Sequence, residues 1–387
     1  MSLCGKSAKD EDYCVTGLTT EEFEALFPNA NIRGKKFAVY DIEGKEFALA
    51  RKEKKSGKGH KEFEVQTDKN ITIEEDLKRR DITINSIAKD VLTNEYIDPF
   101  NGIDDIKNKI IRSTSEAFNE DPLRVYRVAR FSAILEFEVE EKTLKQMNKL
   151  KSELITLSKE RVFVEFKKAL KADKPSIFFN ILKKADVLDV HFKEIYNLIG
   201  KIQPEKYHPE GDSYNHTMIA VDVACKLTKS LEIRFSSLVH DLGKSNTPLE
   251  ILPHHYGHEQ RGEKLVVEFG NRIGVPKSWI KCGRIAAKEH MRGGRFNVMT
   301  PKKQVEFIEN VGKSLLGLSG MEIVVMADKY RNGVYPQDIY FKQIGENCLK
   351  EINGDYIINK YNIREGTKIK EKLHEERINW IKNKKVN

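Results

Sequence analysis

Apolar and polar residues alternate through the first hundred positions, and then the rhythm changes. Asp12-Tyr13-Cys14-Val15, Lys36-Phe37-Ala38-Val39-Tyr40 and Glu46-Phe47-Ala48-Leu49-Ala50 carry the period-two pattern of strands, with a turn at Gly44-Lys45 before the last. Between the first two, Thr19-Thr20-Glu21-Glu22-Phe23-Glu24-Ala25-Leu26-Phe27 reads as a capped helix stopped at Pro28. This region is α/β. Beyond Phe118 the strand signal fades and apolar positions recur at helical spacing to the C-terminus, so the remainder reads as mostly helical. One such helix, Glu232 to Leu242, is expected to stop at Gly243. Residues 201–211, with Pro204 and Pro209, read as a linker, and Lys52 to Lys61, with Gly57 and Gly59 among lysines, as an exposed loop able to touch RNA phosphates.

Length and charge narrow the class. The chain has 387 residues, more than one core of about 250–300 residues accommodates, so several domains are expected. No apolar run approaches the roughly 20 residues that span a bilayer, and the first residues lack the order of a secretory signal, which points to a cytoplasmic protein without a membrane partner. The net charge of +8, from 67 basic and 59 acidic residues, is a modest excess that serves solubility. Cys4, Cys14, Cys225, Cys282 and Cys348 have no paired spacing, which argues against a disulfide framework or a zinc knuckle.

Two groups of residues carry candidate chemistry. Asp10 and Asp12 are two apart, so on a strand their carboxylates share a face and could grip one cation, with Glu46 from another strand as a third oxygen ligand. Such hard donors suit Mg2+. An Asp-x-Asp pair is also what a surface turn produces. The second group is downstream, where six of the ten histidines lie between His216 and His290. His240-Asp241 closes a helix, and an aspartate there opposes the helix dipole, which a bound cation would explain. A satisfied core histidine accounts for any one of these residues but poorly for the cluster.

The context of the first group is Arg79-Arg80-Asp81-Ile82-Thr83-Ile84-Asn85-Ser86, then Asp98-Pro99-Phe100-Asn101-Gly102 with Asp105, then Glu120-Asp121-Pro122-Leu123-Arg124-Val125-Tyr126-Arg127-Val128-Ala129-Arg130-Phe131. Together these resemble the class II tRNA nucleotidyltransferases and bacterial poly(A) polymerases, from Lys9 to about Phe137. The resemblance implies Asp10, Asp12 and Glu46 as catalytic, with Mg2+ on the aspartates. It implies Arg79, Arg80, Asp81, Asn85, Asp121, Arg124, Arg127 and Arg130 as nucleotide-binding residues, with Asp121 and Arg124 choosing the base by pairing with its edge, and residues 98–105 as a flexible loop. On the residues alone, Asp121 capping its helix and pairing with Arg124 is an alternative. Family members also carry a Gly-Gly-x-Val-Arg-Asp loop about twenty residues before the first aspartate, whereas Asp10 has nine residues ahead of it; a start placed downstream or a truncation that impairs transfer would each account for this.

His240-Asp241-Leu242-Gly243-Lys244 and Gly257-His258-Glu259, with His216, Glu289-His290 and Ala327-Asp328, resemble the HD metal-dependent phosphohydrolases. From His208 to about Arg377 the chain resembles the HD domain and tail of some bacterial CCA-adding enzymes. The resemblance implies His216, His240, Asp241 and Asp328 as ligands of a first metal, a divalent transition metal or Mg2+. It implies His258 and His290 as ligands of a second, and His254 and His255 as substrate-facing or structural. Lys244 would neutralise phosphate or be an ordinary surface lysine.

The expected architecture is multidomain: an α/β, polymerase-β-like nucleotidyltransferase head at 1–118, an all-α neck at 119–200, an all-α HD domain at 201–335 and a helical tail at 336–387. The expected function is template-independent repair of the 3′-terminal CCA of tRNA from CTP and ATP, beside a phosphohydrolase activity. A poly(A) polymerase, or an HD phosphohydrolase with an impaired head, are the alternatives. A homodimer through the tail is left open.

Overall fold

The computed structural model describes residues 2–5, 11–33, 39–55 and 63–384, with backbone alone at 53–55 and 63–66. The chain divides into two units, one of residues 1–169 and 177–190, the other of residues 170–176 and 191–387.

In the first unit a four-stranded sheet is built from β1 (Asp12–Val15), β2 (Asn31–Arg33), β3 (Val39–Ile42) and β4 (Lys45–Leu49), ordered β1-β4-β3-β2, with only β1 and β4 parallel. The predicted helix is present as Thr20–Leu26: the Thr19 side chain accepts from the Glu22 N–H while Glu22 reaches back to the Thr19 N–H, a reciprocal cap. It buries Phe23 against Tyr40, with ring centres 4.7 Å apart, and Leu49, Val15 and Phe47 complete this small core. One face of the sheet is thereby spent on packing. Lys52 does not belong to an exposed loop, since Arg51–Lys55 is a strand paired antiparallel with Phe63–Thr67; residues 56–62 of that stretch lie outside the described ones. Helices follow. Leu123–Leu135 buries Val125, Tyr126, Val128 and Ala129 completely, and Tyr126, Phe178, Phe179 and Phe166 form a chain of ring contacts between helices.

The second unit is helical. Ser213–Leu227, Leu231–Val239, His258–Ile273, Lys277–Gly294 and Gly317–Asp328 gather around buried residues such as Phe235 and Phe269, whose rings stack at 6.3 Å. Pro301–Gly312, Phe341–Glu351 and Gly366–Lys384 join the same body through one core that runs from Cys282 through Met321 and Phe341 to Ile381. No helix of the described residues is long and apolar enough to cross a membrane.

Gly243 does not end its helix in the expected way. The helix stops at Val239, Gly243 lies in the short turn Leu242–Asn246, and its φ is not positive. A Cβ at Gly243 would sit 1.9 Å from the His258 carbonyl oxygen and 2.5 Å from the Gly262 nitrogen. The glycine is there so that helix His258–Ile273 can lie directly on this turn.

Candidate active site and metal centre

Asp12 on β1 lies directly opposite Glu46 on β4, and Asp41 on β3 lies opposite the same Glu46. Cross-strand partners project to one face, so the three carboxylates form a row. Phe47 and Tyr40, one residue along their strands, project to the other face and into the core, and Tyr13 on that face stacks on Phe47 with ring centres 4.8 Å apart. Asp12 and Glu46 are exposed, and Arg33 from β2 spans Asp41 at 2.5 Å and Glu46 at 3.4 Å. Asp10 falls outside the described residues.

Cys14, next on the face of Asp12, connects this row to the arginines. Its thiol is pushed up to about 11 by burial and by the Asp76 carboxylate, while Arg80, Arg79 and Arg51 pull the other way. Asp76 is fully buried and organises this corner, accepting from Arg79 Nε at 2.9 Å and Nη2 at 2.6 Å, Arg80 Nη2 at 3.2 Å and the Arg51 N–H at 3.3 Å. The next carboxylate, Asp81, accepts from the Asn85 amide at 3.0 Å and from Arg127 Nε at 2.6 Å. Burial opposes its ionisation, yet Arg127 and Asn85 outweigh that and hold it below the usual carboxylate range.

Asp121 accepts the Leu123 N–H at 2.9 Å, capping its helix, and its second oxygen meets Arg161 Nη2 at 3.0 Å. Arg124 directs its guanidinium to the carbonyls of Ala117 and Arg79, the latter at 2.6 Å, which ties helix Leu123–Leu135 to the Arg79-Arg80 turn. Arg79, Arg80, Asp81, Asn85, Arg124 and Arg127 are thus joined in one network. Arg130 is drawn elsewhere: only 8% exposed, it pairs with buried Glu165 at 2.5 Å and lies over the Phe131 ring, a tie between helices. The 98–105 stretch, expected as a flexible loop, carries the start of helix Gly102–Asn108. Asp98 accepts from the Gly102 and Ile103 N–H groups, and Asn101 takes the left-handed conformation with φ 58°.

The histidines of the second unit form a buried pocket. His216 comes from the first turn of Ser213–Leu227, His240 and Asp241 from the end of Leu231–Val239, and Asp328 from the last residue of Gly317–Asp328. His216 Nε2 lies 3.3 Å from His240 Nε2 and 3.1 Å from Asp328 Oδ1, and both rings are within 3.5 Å of Asp241 Oδ2. On the other side of the same carboxylate, His258 and His290 face each other Nε2 to Nε2 at 3.4 Å, and stand 3.4 and 3.3 Å from Asp241 Oδ1. Asp241 is shared by both groups.

The outer nitrogens decide what the inner ones can do. His240 Nδ1 is 2.7 Å from the Ser237 carbonyl, His258 Nδ1 is 2.9 Å from the His255 carbonyl, His290 Nδ1 is 3.0 Å from the Ala286 carbonyl, and His216 Nδ1 is 2.7 Å from Glu210 Oε1. Each Nδ1 faces an acceptor and so carries the proton of the neutral ring, which leaves four Nε2 lone pairs turned inward on each other and on two carboxylates. Asp241 Oδ1 is buried without a hydrogen-bond donor. A set of converging lone pairs is repulsive unless positive charge sits among them, so the residues fit a cation. Mixed imidazole and carboxylate donors suit a divalent transition metal. With no cation among them a proton meets the same demand: burial opposes charge on His240, but Asp241 and Asp328 overcome it and raise that imidazole to about 10, while burial takes His258 down to about 4.

Several of these residues were not legible as site residues. Residues 201–211 are a wall of the pocket, not a linker: Gln203 and Glu210 are buried or nearly so, and Lys201 donates to the Thr247 carbonyl at 2.7 Å. Lys244 is 6% exposed, not a surface lysine, and bonds Asp241 Oδ2 at 2.5 Å and Gln203 at 2.6 Å. Buried His255 lies between the Thr247 hydroxyl at 2.8 Å and the Ile202 carbonyl at 3.0 Å, whereas exposed His254 stacks on Tyr256 at 5.3 Å. Asp76 could have been found from its spacing of three and four residues to Arg79 and Arg80; Asp41 and Arg161 had no local signal.

Residues 2–112 match the family description "Poly A polymerase head domain", and residues 136–198 match "Probable RNA and SrmB-binding site of polymerase A". The "Multifunctional CCA protein" of Mannheimia succiniciproducens is 36% identical over 401 residues, covering 99% of this chain and 95% of the relative. The chain belongs to the multifunctional CCA protein family. Solved structures agree in fold with this family assignment. The Bacillus stearothermophilus CCA-adding enzyme in complex with CTP matches at a TM-score of 0.63 and 22% identity, covering 97% of this chain and 85% of that one. The Thermotoga maritima CCA-adding enzyme complexed with tRNA matches at 0.62 and 21%, covering 97% and 83%.

Proposed function

We propose that this protein builds or repairs the 3′-terminal CCA of tRNA from CTP and ATP, and that its helical unit hydrolyses phosphate esters at the imidazole pocket. One observation carries the reading. The match to a multifunctional CCA protein covers 99% of the chain, so the acidic row and the pocket both fall within it.

In the head, the tRNA 3′ hydroxyl attacks the α-phosphorus of the incoming nucleotide and pyrophosphate leaves. Asp12, together with Asp10, holds Mg2+, and Glu46 supplies the third oxygen. Magnesium held there would neutralise charge on the phosphate oxygens. Arg79, Arg80 and Arg127 face the sugar and phosphates, with Asp76 and Asp81 fixing their forks. Asp121 and Arg124 read the base edge, an acceptor beside a donor fork. Arg161 steadies the first and the Arg79 carbonyl the second.

In the pocket, His216, His240, Asp241 and Asp328 hold a first divalent ion, and His258, His290 and Asp241 a second. A metal held by these residues would supply Lewis acidity toward a phosphate ester and its attacking water. Lys244 keeps Asp241 oriented and adds positive charge at the wall. Terminal or 2′,3′-cyclic phosphates of RNA ends and small nucleotides are the ester class this reading assigns.

The test is incubation of purified protein with tRNA lacking its 3′ end, CTP, ATP and Mg2+, with product sequencing. Addition of C, C and A is expected. Tails of A alone would replace this reading with a poly(A) polymerase, and no addition beside metal-dependent phosphatase activity would leave a phosphohydrolase only.

A further inference from the structure

We propose that Glu210 is the positioning residue of the imidazole pocket, acting through the outer nitrogen of His216; the inference rests on the metal-site reading above. Of the four converging rings, His216 alone has a carboxylate within hydrogen-bond distance of its outer nitrogen, Glu210 Oε1 at 2.7 Å; the other three Nδ1 atoms hydrogen-bond backbone carbonyls, and Glu259 Oε2 stands off at 3.6 Å from His258 Nδ1. A carboxylate behind an imidazole fixes the ring's tautomer and orientation and makes its inner nitrogen a stronger donor than a carbonyl does.

His208, Glu210 and His216 also lie close enough to be taken for another cation site, with ligand atoms within 4.8 Å of one another. The atoms involved argue against that. The His216 nitrogen in this group is Nδ1, the proton-bearing one, whereas Nε2 serves the pocket. His208 Nδ1 approaches the same Glu210 oxygen at 3.0 Å and also lies 3.1 Å from Arg331 Nη2, a donor that a cation there would repel. The group is an outer support, not a centre of its own.

Glu210 is itself braced. Its side chain is 9% exposed, Arg331 Nε approaches its second oxygen at 3.8 Å, and the same arginine donates to the Tyr207 carbonyl at 2.7 Å and to the carbonyl of Asp328. Arg331 therefore clamps the 207–210 segment to the helix end that carries Asp328. Two inner ligands, His216 and Asp328, are set by one outer group of Glu210, His208 and Arg331.

The experiment titrates metal-stripped full-length protein with Co2+ alone and follows its visible absorption. Outer partners of this kind are worth about 10–100-fold in metal affinity. Glu210→Ala should weaken the site that contains His216 by that factor, and Glu210→Gln, which keeps an acceptor for the Nδ1 proton, should lose less. In a His216→Ala background Glu210→Ala should add nothing, because the two act as one unit. Thermal unfolding of each variant and CCA addition by the head report on folding, and the Gln variant carries the test if the Ala variant unfolds. Wild-type Co2+ affinity in both Glu210 variants, or losses that add across the cycle, would overturn the proposal alone. A wild-type protein that takes up no Co2+ would sink the metal-site reading with it.

Discussion

In the imidazole pocket every ring is backed by a second partner and buried to within a few per cent, whereas the carboxylates of the acidic row stand on an open sheet face with one arginine spanning two of them. On the proposed reading, the contrast is that between a resident and a visiting ion. A cage of neutral nitrogens and shared carboxylates is complete without substrate. A row of exposed carboxylates supplies only part of an octahedral shell, and Mg2+ usually takes the rest from water and substrate phosphates. The helical unit should therefore keep its metal through purification, while the head acquires its own with each nucleotide.

Ligand removal should separate the two regions most sharply. Asp241→Asn takes a shared ligand from both groups and should lower ester hydrolysis by about a thousandfold or more, since a metal supplies several kcal/mol to such a step, with CCA addition retained; Asp12→Asn should do the reverse. Parallel assays of both reactions on each variant check this, and loss of both activities in either one would mean that the regions are not independent. Next in size is metal content. After exhaustive dialysis without chelator, elemental analysis should find transition metal in the wild type and little in His240→Ala, with Mg2+ absent from both. Equal metal in the two proteins would erase the distinction between resident and visitor.

Packing changes come third. Gly243→Ala drives a methyl group into the His258 carbonyl and should cost about 1–3 kcal/mol, read by thermal unfolding, together with most of the hydrolysis. In the head, Arg124→Ala frees the Ala117 and Arg79 carbonyls and should cost about 1.5–3 kcal/mol while blurring the choice between CTP and ATP; unchanged discrimination would remove Arg124 from base reading. Acid sensitivity is absent at neutral pH and comes last. Burial and the nearby Arg272 lower His191 from 6.5 to about 4, so the unfolded chain binds this proton more readily. The helical unit should lose up to about 3 kcal/mol as pH falls from 6.5 to 4. The Asp81 contribution in the head is present above the ordinary carboxylate value and disappears only as pH falls below it. His191→Gln should flatten the first limb of an acid unfolding curve and leave the second.

What could be read from the sequence follows the range of each interaction. The strand at Asp12–Val15, the reciprocal cap at Thr19 and Glu22 and the histidine cluster are written within a few residues of themselves or in distinctive motifs. The pairings Asp121 with Arg161, Asp81 with Arg127 and Arg130 with Glu165 span 35 to 46 positions. No periodicity reports them, and nothing local distinguishes Arg130, which ties two helices, from the other arginines of its run. Glu210 was hidden for another reason: two prolines made its segment look like a connector, although the chain bends there to bring a carboxylate behind His216. Gly243 was read as a helix stop because glycine serves both ends and crossings, and only the position of His258 distinguishes them.

Lys244 shares an Asp241 oxygen with the pocket, and that sharing sets a sequence of arrival. With Asp241, Asp328 and Glu210 ionised and Lys244, Arg331 and the His240 imidazole protonated, the cavity and its wall carry no net charge and offer an anionic ester no attraction. One divalent ion in place of the His240 proton makes that sum positive, and two make the cavity strongly attractive. Ion first and ester second is then the only downhill order, visible as a lag when stripped protein meets both at once and as no lag when the ion is given a head start.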